Sequence, residues 1–270
     1  MDGLEAYDVL INFFDNIDIL MLIFVRVLGF LMLIPILSSQ NMFTQGRLFF
    51  ALVMALALFM SGNITSVYYV ALTPMFVYLT LLEFLVGLVM GYMVFAVFNL
   101  IFFAGHLMDF SIGLMMVNTI DPMTQTQVPV TGNIFYLALV AMLVATGGLH
   151  QLFLAFFYSY AHLPIGAAVV MSNPDLFWYI VLVLAESMIL AIRIAMPLVG
   201  TMMIINVALG IMVKTSPQMN IFVVGMPIRI LVGLFLIFAV MAPSLGAIFA
   251  NVFDMAALAM REVIWGMRPS

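Results

Sequence analysis

Apolar residues fill long, nearly unbroken stretches of this chain, and polar positions are so few that they mark where the stretches end. A helix crossing a hydrocarbon core of about 30 Å needs about 20 apolar residues. Ile17–Leu37, Leu176–Val213 and Ile221–Asn251 each qualify, and the run from Val67 to Ala104, with Pro74 near its beginning, is long enough for two spans. Asn133–Tyr160 also qualifies, although Gly147 and Gly148 interrupt it, and Leu48–Met60 is marginal by length. The pattern predicts about six to eight helical segments paired as hairpins, with Gly, Pro and Asn at the breaks.

Within these stretches apolar positions fall on every helical face, unlike the one-sided stripe of a surface helix. Strands are excluded, because runs of about 20 residues do not suit a buried strand and no alternation of about ten residues suggests a barrel. The expected fold is therefore all-α: polytopic, membrane-protein-like helical hairpins, some of them kinked or broken.

Composition supports this reading. The chain is 67% hydrophobic and 7% charged, with a mean hydropathy of +1.30, against about 45–50% apolar and about 25% charged in globular proteins. So little polar surface cannot cover a water-soluble exterior, so the excess apolar surface meets lipid, other subunits, or both. The absence of cysteine excludes disulfides, thiolate metal sites and cysteine nucleophiles.

The net charge of -5 is thinly spread, and no basic run suits nucleic acid. Asp2, Glu5, Asp8, Asp15 and Asp18 precede any basic residue, the reverse of a signal peptide, so the start reads as mature protein. The positive-inside bias places Arg47, Arg261 and Arg268 on the cytoplasmic side and the acidic N-terminus outside.

Arg26, Glu83, Glu186 and Arg193 lie inside apolar runs, where a central charge costs about 2.5–3.5 kcal/mol on insertion scales. One reading pairs them across helices or subunits, shielded from lipid, with Glu186 and Arg193 sharing a helix face. The other has them snorkel, or places their segments outside the hydrocarbon. Pro197 and Pro227 each remove a backbone hydrogen bond and kink or break a helix, which suits a channel or transporter; a loop boundary is the alternative at both, and at Pro227 the two readings weigh equally.

Gly87 and Gly91 form a Gly-x-x-x-Gly spacing that permits close backbone approach. The 26 methionines suit deformable apolar contacts, mostly as ordinary core packing. No His-Glu-x-x-His, Gly-x-Ser-x-Gly or phosphate-binding loop occurs. His106 and Asp109 lie one helical turn apart, but His150 and His162 are distant in sequence, so ordinary polar roles are expected rather than a metal site. No enzyme, cofactor or metal site is expected.

Two segments carry a specific resemblance. The first is Ala104 to Pro122, an apolar, Gly-bearing stretch that includes Gly105, His106, Asp109 and Gly113 and closes on Asp121-Pro122. The second is Ala208-Leu209-Gly210 followed by Lys214-Thr215-Ser216-Pro217-Gln218-Met219-Asn220-Ile221-Phe222-Val223-Val224-Gly225-Met226-Pro227-Ile228-Arg229. Val25-Arg26 with Pro35, and Leu163-Pro164-Ile165-Gly166, also fit. The chain resembles, over essentially its whole length, the family of the flagellar biosynthetic protein FliR and its type III secretion export-gate relatives of virulence systems.

The resemblance implies a non-enzymatic subunit of the type III export gate, part of a channel for unfolded flagellar or virulence proteins across the bacterial inner membrane, in the flagellar basal body. It implies one copy assembled with two smaller hydrophobic subunits, FliP and FliQ, an FlhB-like switch protein, and a helical complex standing partly proud of the bilayer. It further implies a single export-gate domain over 1–270, FliP-like over 1–175 and FliQ-like over 176–270. The alternative is a secondary transporter with a mid-membrane small-solute site.

Within this reading, Gly113, Leu114, Met115, Met116, Val117, Asn118, Thr119, Ile120, Asp121 and Pro122 form a plug. Its apolar residues would exclude water and ions, and the matching segment of the family is thought to obstruct the pore; a buried helix ending at Asp121-Pro122 is the alternative. Lys214–Arg229 is expected to be the turn between two long helices, with Pro217, Gln218, Asn220, Phe222, Gly225, Pro227 and Arg229 at a subunit interface. The charges at Arg26, Glu83, Glu186 and Arg193 are expected to serve assembly.

Overall fold

A computed structural model describes residues 17–35, 43–61, 74–115, 129–165, 174–215 and 221–267. Among them the chain forms eight α-helices: α1 (Ile17–Leu33), α2 (Thr44–Met60), α3 (Pro74–Ile112), α4 (Val130–Ala145), α5 (Gly148–His162), α6 (Pro174–Thr215), α7 (Ile221–Leu236) and α8 (Ala242–Gly266). A π-helical turn, Ile237–Met241, joins the last two. Apart from the single bridge residue Ile165, the described residues hold no β structure, and the fold is all-α.

Three stretches are long and apolar enough to cross a membrane: Pro74–Ile112, Leu176–Met212 and Val224–Gly266; α4 and α5 make a fourth if counted as one broken span. Proline and glycine punctuate these helices. Pro74 and Pro174 open α3 and α6, where a missing N–H costs nothing. Gly113, at φ +95°, ends α3, and Gly147, at φ +71°, separates α4 from α5; both angles lie where a side chain is strained.

The helices are longer than the sequence pattern suggests. The run expected to hold two spans contains one, because nothing between Pro74 and Gly113 stops it: α3 has 39 residues and α6 has 42, about 58 and 63 Å at 1.5 Å per residue. Pro197 does not break α6; the Thr201 hydroxyl donates to the Pro197 carbonyl at 2.8 Å in the turn that follows. Pro227 lies inside α7, so no loop boundary falls there.

Lys214–Arg229 is accordingly not all turn. Lys214 and Thr215 close α6, and the apolar run from Ile221 already begins α7. Arg47 likewise belongs to the first turn of α2 instead of a loop, because that helix starts at Thr44. Past Leu236 the widened turn accommodates Pro243, whose ring would clash with the carbonyl four residues back in a regular helix; the Ala242 N–H reaches back five residues to Ile237.

Two compact units divide the chain, one of residues 1–95, 149–183 and 256–270, the other of 96–148 and 184–255. In the first, α1 packs on α2 and turns Leu20, Ile23, Val27 and Phe30 inward at three- and four-residue spacing. Its aromatic core stacks Phe30 on Phe156 at 4.2 Å, with Phe153 edge-on to Phe30 at 6.3 Å. Gly266 at the end of α8 lies against Leu176 and Tyr179.

In the second unit, Phe102 on α3 packs against Tyr136 on α4, ring centroids 4.8 Å apart. Gly233 of α7 receives the Ile112 side chain, and Gly148 sits against Leu143 and Phe253.

Only part of each apolar helix is covered by its own chain. On α3 the buried positions make a broad face that includes Leu79, Glu83, Val86, Met90, Val97 and Ile101, while Met75, Val77, Leu81 and Phe110 face outward. Within its most apolar window, α3 is 56% buried, the Leu176–Met212 stretch 28% and the Val224–Gly266 stretch 11%. The C-terminal pair of long helices therefore leaves most of its apolar surface to lipid or to other subunits.

Candidate functional site

The first unit is built around a buried charge. Arg26 is wholly buried on α1 and Glu83 is 2% exposed on α3; the guanidinium Nε donates to Glu83 Oε2 at 2.5 Å. Nη1 donates to the Leu163 carbonyl at 3.0 Å, just past the end of α5. The guanidinium carbon also stands 4.5 Å from the centroid of the Tyr160 ring. One cation thus joins α1, α3 and the chain leaving α5.

Glycine makes this approach possible. A Cβ on Gly87 would land on the Arg26 carbonyl oxygen, and one on Gly91 would come within 2.7 Å of the Phe30 carbonyl oxygen. A Cβ on Gly29 would likewise come within 2.6 Å of the Phe84 carbonyl oxygen. The two helices meet backbone to backbone, so the Gly-x-x-x-Gly spacing serves contact between α1 and α3.

In the second unit a joint links α3 and α4. Gly105 and Gly132 touch so closely that a Cβ on Gly105 would fall on the Gly132 backbone. Asp109, 2% exposed, accepts hydrogen bonds from the Thr131 hydroxyl and from the Thr131 N–H, the latter at 3.3 and 3.4 Å to its two oxygens. The Asp109 carbonyl in turn accepts from the Gly113 and Leu114 N–H groups at 2.9 and 3.0 Å. His106 turns elsewhere: its Nδ1 lies 2.7 Å from the Phe102 carbonyl. Among the described residues no cluster of three His, Cys, Asp or Glu forms that could hold a metal.

The other singled-out residues separate. Glu186 and Arg193 are exposed on α6, on a face uncovered by this chain, and no ion pair joins them. Of the plug segment, Gly113, Leu114 and Met115 are described and half-buried; Met116, Val117, Asn118, Thr119, Ile120, Asp121 and Pro122 lie outside the described residues. Pro217, Gln218 and Asn220 also lie outside them. Phe222 is in the first turn of α7, Gly225 is buried, Pro227 is exposed, and Arg229 is half-buried with a Nε that has no hydrogen-bond partner.

Sequence reasoning missed Tyr160 and Thr131. The first is one aromatic among many in an apolar run and carries no signal of its own. For the second a cue exists, since Pro129 before Val130-Thr131-Gly132 marks a helix start that needs an acceptor from elsewhere.

Long apolar helices with uncovered outer faces and a buried ion pair used for packing define a helical membrane protein with surface left for lipid or other subunits. The model of the family described as bacterial export proteins, family 1, matches residues 17–256, and the chain belongs to that family. It is 28% identical to the flagellar biosynthetic protein FliR of Bacillus subtilis over 251 residues, covering 93% of this chain and 96% of that protein. Against FliR of Aquifex aeolicus the identity is 30% over 219 residues, covering 81% and 83%. The Yop proteins translocation protein T of Yersinia pestis is 24% identical over 208 residues, covering 76% and 78%.

Proposed function

We infer that this chain is a subunit of a type III protein export gate and contributes to the passage through which unfolded flagellar or virulence proteins leave the cytoplasm. The observation that carries the reading is the C-terminal Val224–Gly266 stretch: it is apolar enough to span a membrane, yet its own chain buries only 11% of its apolar window. Such a surface needs neighbours. Membership in the export family, with flagellar and virulence relatives, supplies their context.

The chain acts within a multi-subunit complex. Its partners are two smaller hydrophobic subunits, FliP-like and FliQ-like, with an FlhB-like switch protein, in the inner membrane at the flagellar basal body. Residues 1–175 play the FliP-like part and 176–270 the FliQ-like part. Helices of about 58 and 63 Å exceed a hydrocarbon core of about 30 Å, which supports an assembly standing partly proud of the bilayer. Arg26, Glu83, Glu186 and Arg193 serve assembly, and the role is structural, without catalysis.

Residues 113–122 plug the passage at rest, and the 217–229 region meets a neighbouring subunit. Supporting the first is the left-handed Gly113, at which α3 stops short of the segment. Supporting the second are Gly225, Pro227 and Arg229, near the start of a helix that begins immediately after residues 216–220. The small-solute transporter loses its main motive, because Pro197 and Pro227 lie inside continuous helices and do not break them. Deleting the gene should abolish export of unfolded substrates, and resupplying the chain should restore it. Undiminished export in the deletion strain would refute the assignment.

A further inference from the structure

We propose that Asp109 is a pin that holds the end of α3 and the start of α4 together. The inference deepens the plug reading and rests on it only for its effect on leakage. The pin itself is built entirely from α3, α4 and the two residues that follow α3.

Two helix ends need partners here. The N-terminus of α4 exposes N–H groups and the positive end of its dipole. Its N-cap residue is Pro129, which makes no side-chain cap. Asp109 supplies that acceptor from the last full turn of α3, taking the Thr131 N–H and hydroxyl on its carboxylate. Its own carbonyl takes the Gly113 and Leu114 N–H groups, which closes α3. One residue therefore ends one helix with its backbone and starts the next with its side chain.

Burial gives this arrangement its strength. A carboxylate 2% exposed is costly unless it is neutralised or strongly hydrogen-bonded, and Asp109 takes its hydrogen bonds from the Thr131 N–H and hydroxyl. Asp109 is held by donors and a helix dipole instead of a cation. The Gly105–Gly132 contact beside it brings the two backbones together without side chains between them, so the Asp109 bonds supply the polar hold at this close approach.

The sequence has no cysteine, so Phe110→Cys and Ile134→Cys, both at exposed positions of the joint, can carry a pair of spin labels in the assembled membrane complex. The parent should give one narrow distance distribution. Asp109→Ala should broaden it toward longer distances, with about a tenfold larger separated population and raised ion leakage at unchanged complex yield. Asp109→Asn keeps an acceptor and should restore most of the narrow distribution. Should Asp109→Ala fail to assemble, Thr131→Val, which removes only the hydroxyl donor, carries the test in the same direction.

A narrow distribution in Asp109→Ala, or in Thr131→Val where it decides, overturns the pin. The plug reading is tested separately by deleting Met115 to Ile120, which leaves the Leu114 N–H on the Asp109 carbonyl. If that deletion leaks while Asp109→Ala stays narrow and tight, the plug stands and the pin falls; if the deletion stays tight while Asp109→Ala broadens the distance, the plug falls and the pin stands.

Discussion

Arg26 on α1 and Glu83 on α3, 57 residues apart in sequence, meet as a fully buried ion pair with 2.5 Å between Nε and Oε2. Removing one partner strands the other in an apolar surround, at a cost of about 3–5 kcal/mol. Arg26→Ala or Glu83→Ala should therefore sharply lower the amount of intact complex recovered from membranes. Replacing both at once, as Arg26→Met with Glu83→Leu, should recover much of it, because no charge is then left unpaired. A double variant no better than either single variant would show that the pair does more than hold the helices.

The glycine contacts make a second prediction. Gly87→Ala and Gly105→Ala each drive a methyl group into neighbouring backbone, whereas Gly46→Ala and Gly200→Ala enter open space. The first two should lower the thermal midpoint of the purified complex, by about 1–3 kcal/mol or more in free energy. Gly46→Ala and Gly200→Ala should leave it unchanged or slightly raised, since alanine favours the helix by about 1 kcal/mol. Equal effects at all four positions would contradict the backbone approach described here.

How much of this was legible in advance follows from what each feature depends on. Helical class and the buried pairing of Arg26 were readable, because a long apolar run and a charge inside it each have few physical solutions. That Glu83 is its partner was not, since Glu186 and Arg193 looked the same in sequence and are exposed. The apolar pattern could not tell one 39-residue helix from two shorter ones, nor which face of it would be covered. Asp109 was noticed only beside His106; its actual partner, Thr131, is 22 residues away, across a joint that local spacing cannot reveal.

The uncovered C-terminal helices yield a third prediction. Phe238, 74% exposed, and Ile204, 72% exposed, contribute little to the fold of this chain. Phe238→Glu and Ile204→Glu should leave the helicity of the isolated chain intact while reducing its recovery with partner subunits. Crosslinkers at Gln218 and Asn220 should capture a neighbouring subunit in the assembled complex. Normal recovery in both variants, with no crosslinked product, would remove this surface from the interface.

The plug gives a fourth. Deleting Met115 to Ile120 removes most of the apolar residues proposed to dewet the constriction, and Asp109, Thr131 and Leu114 of the joint lie outside the deletion. Assembly should proceed, and small ions should cross the membrane faster than with the parent. A complex that assembles and remains as tight as the parent would refute the plug.

The central claim is that this chain functions as one subunit of a heteromeric export gate. Native mass measurement after gentle detergent extraction, from cells that co-express the chain with its two smaller hydrophobic partners, tests it most directly. The account predicts a stable complex holding one copy of this chain with several copies of each partner. A chain recovered alone or as a homo-oligomer, binding a small solute, would contradict it.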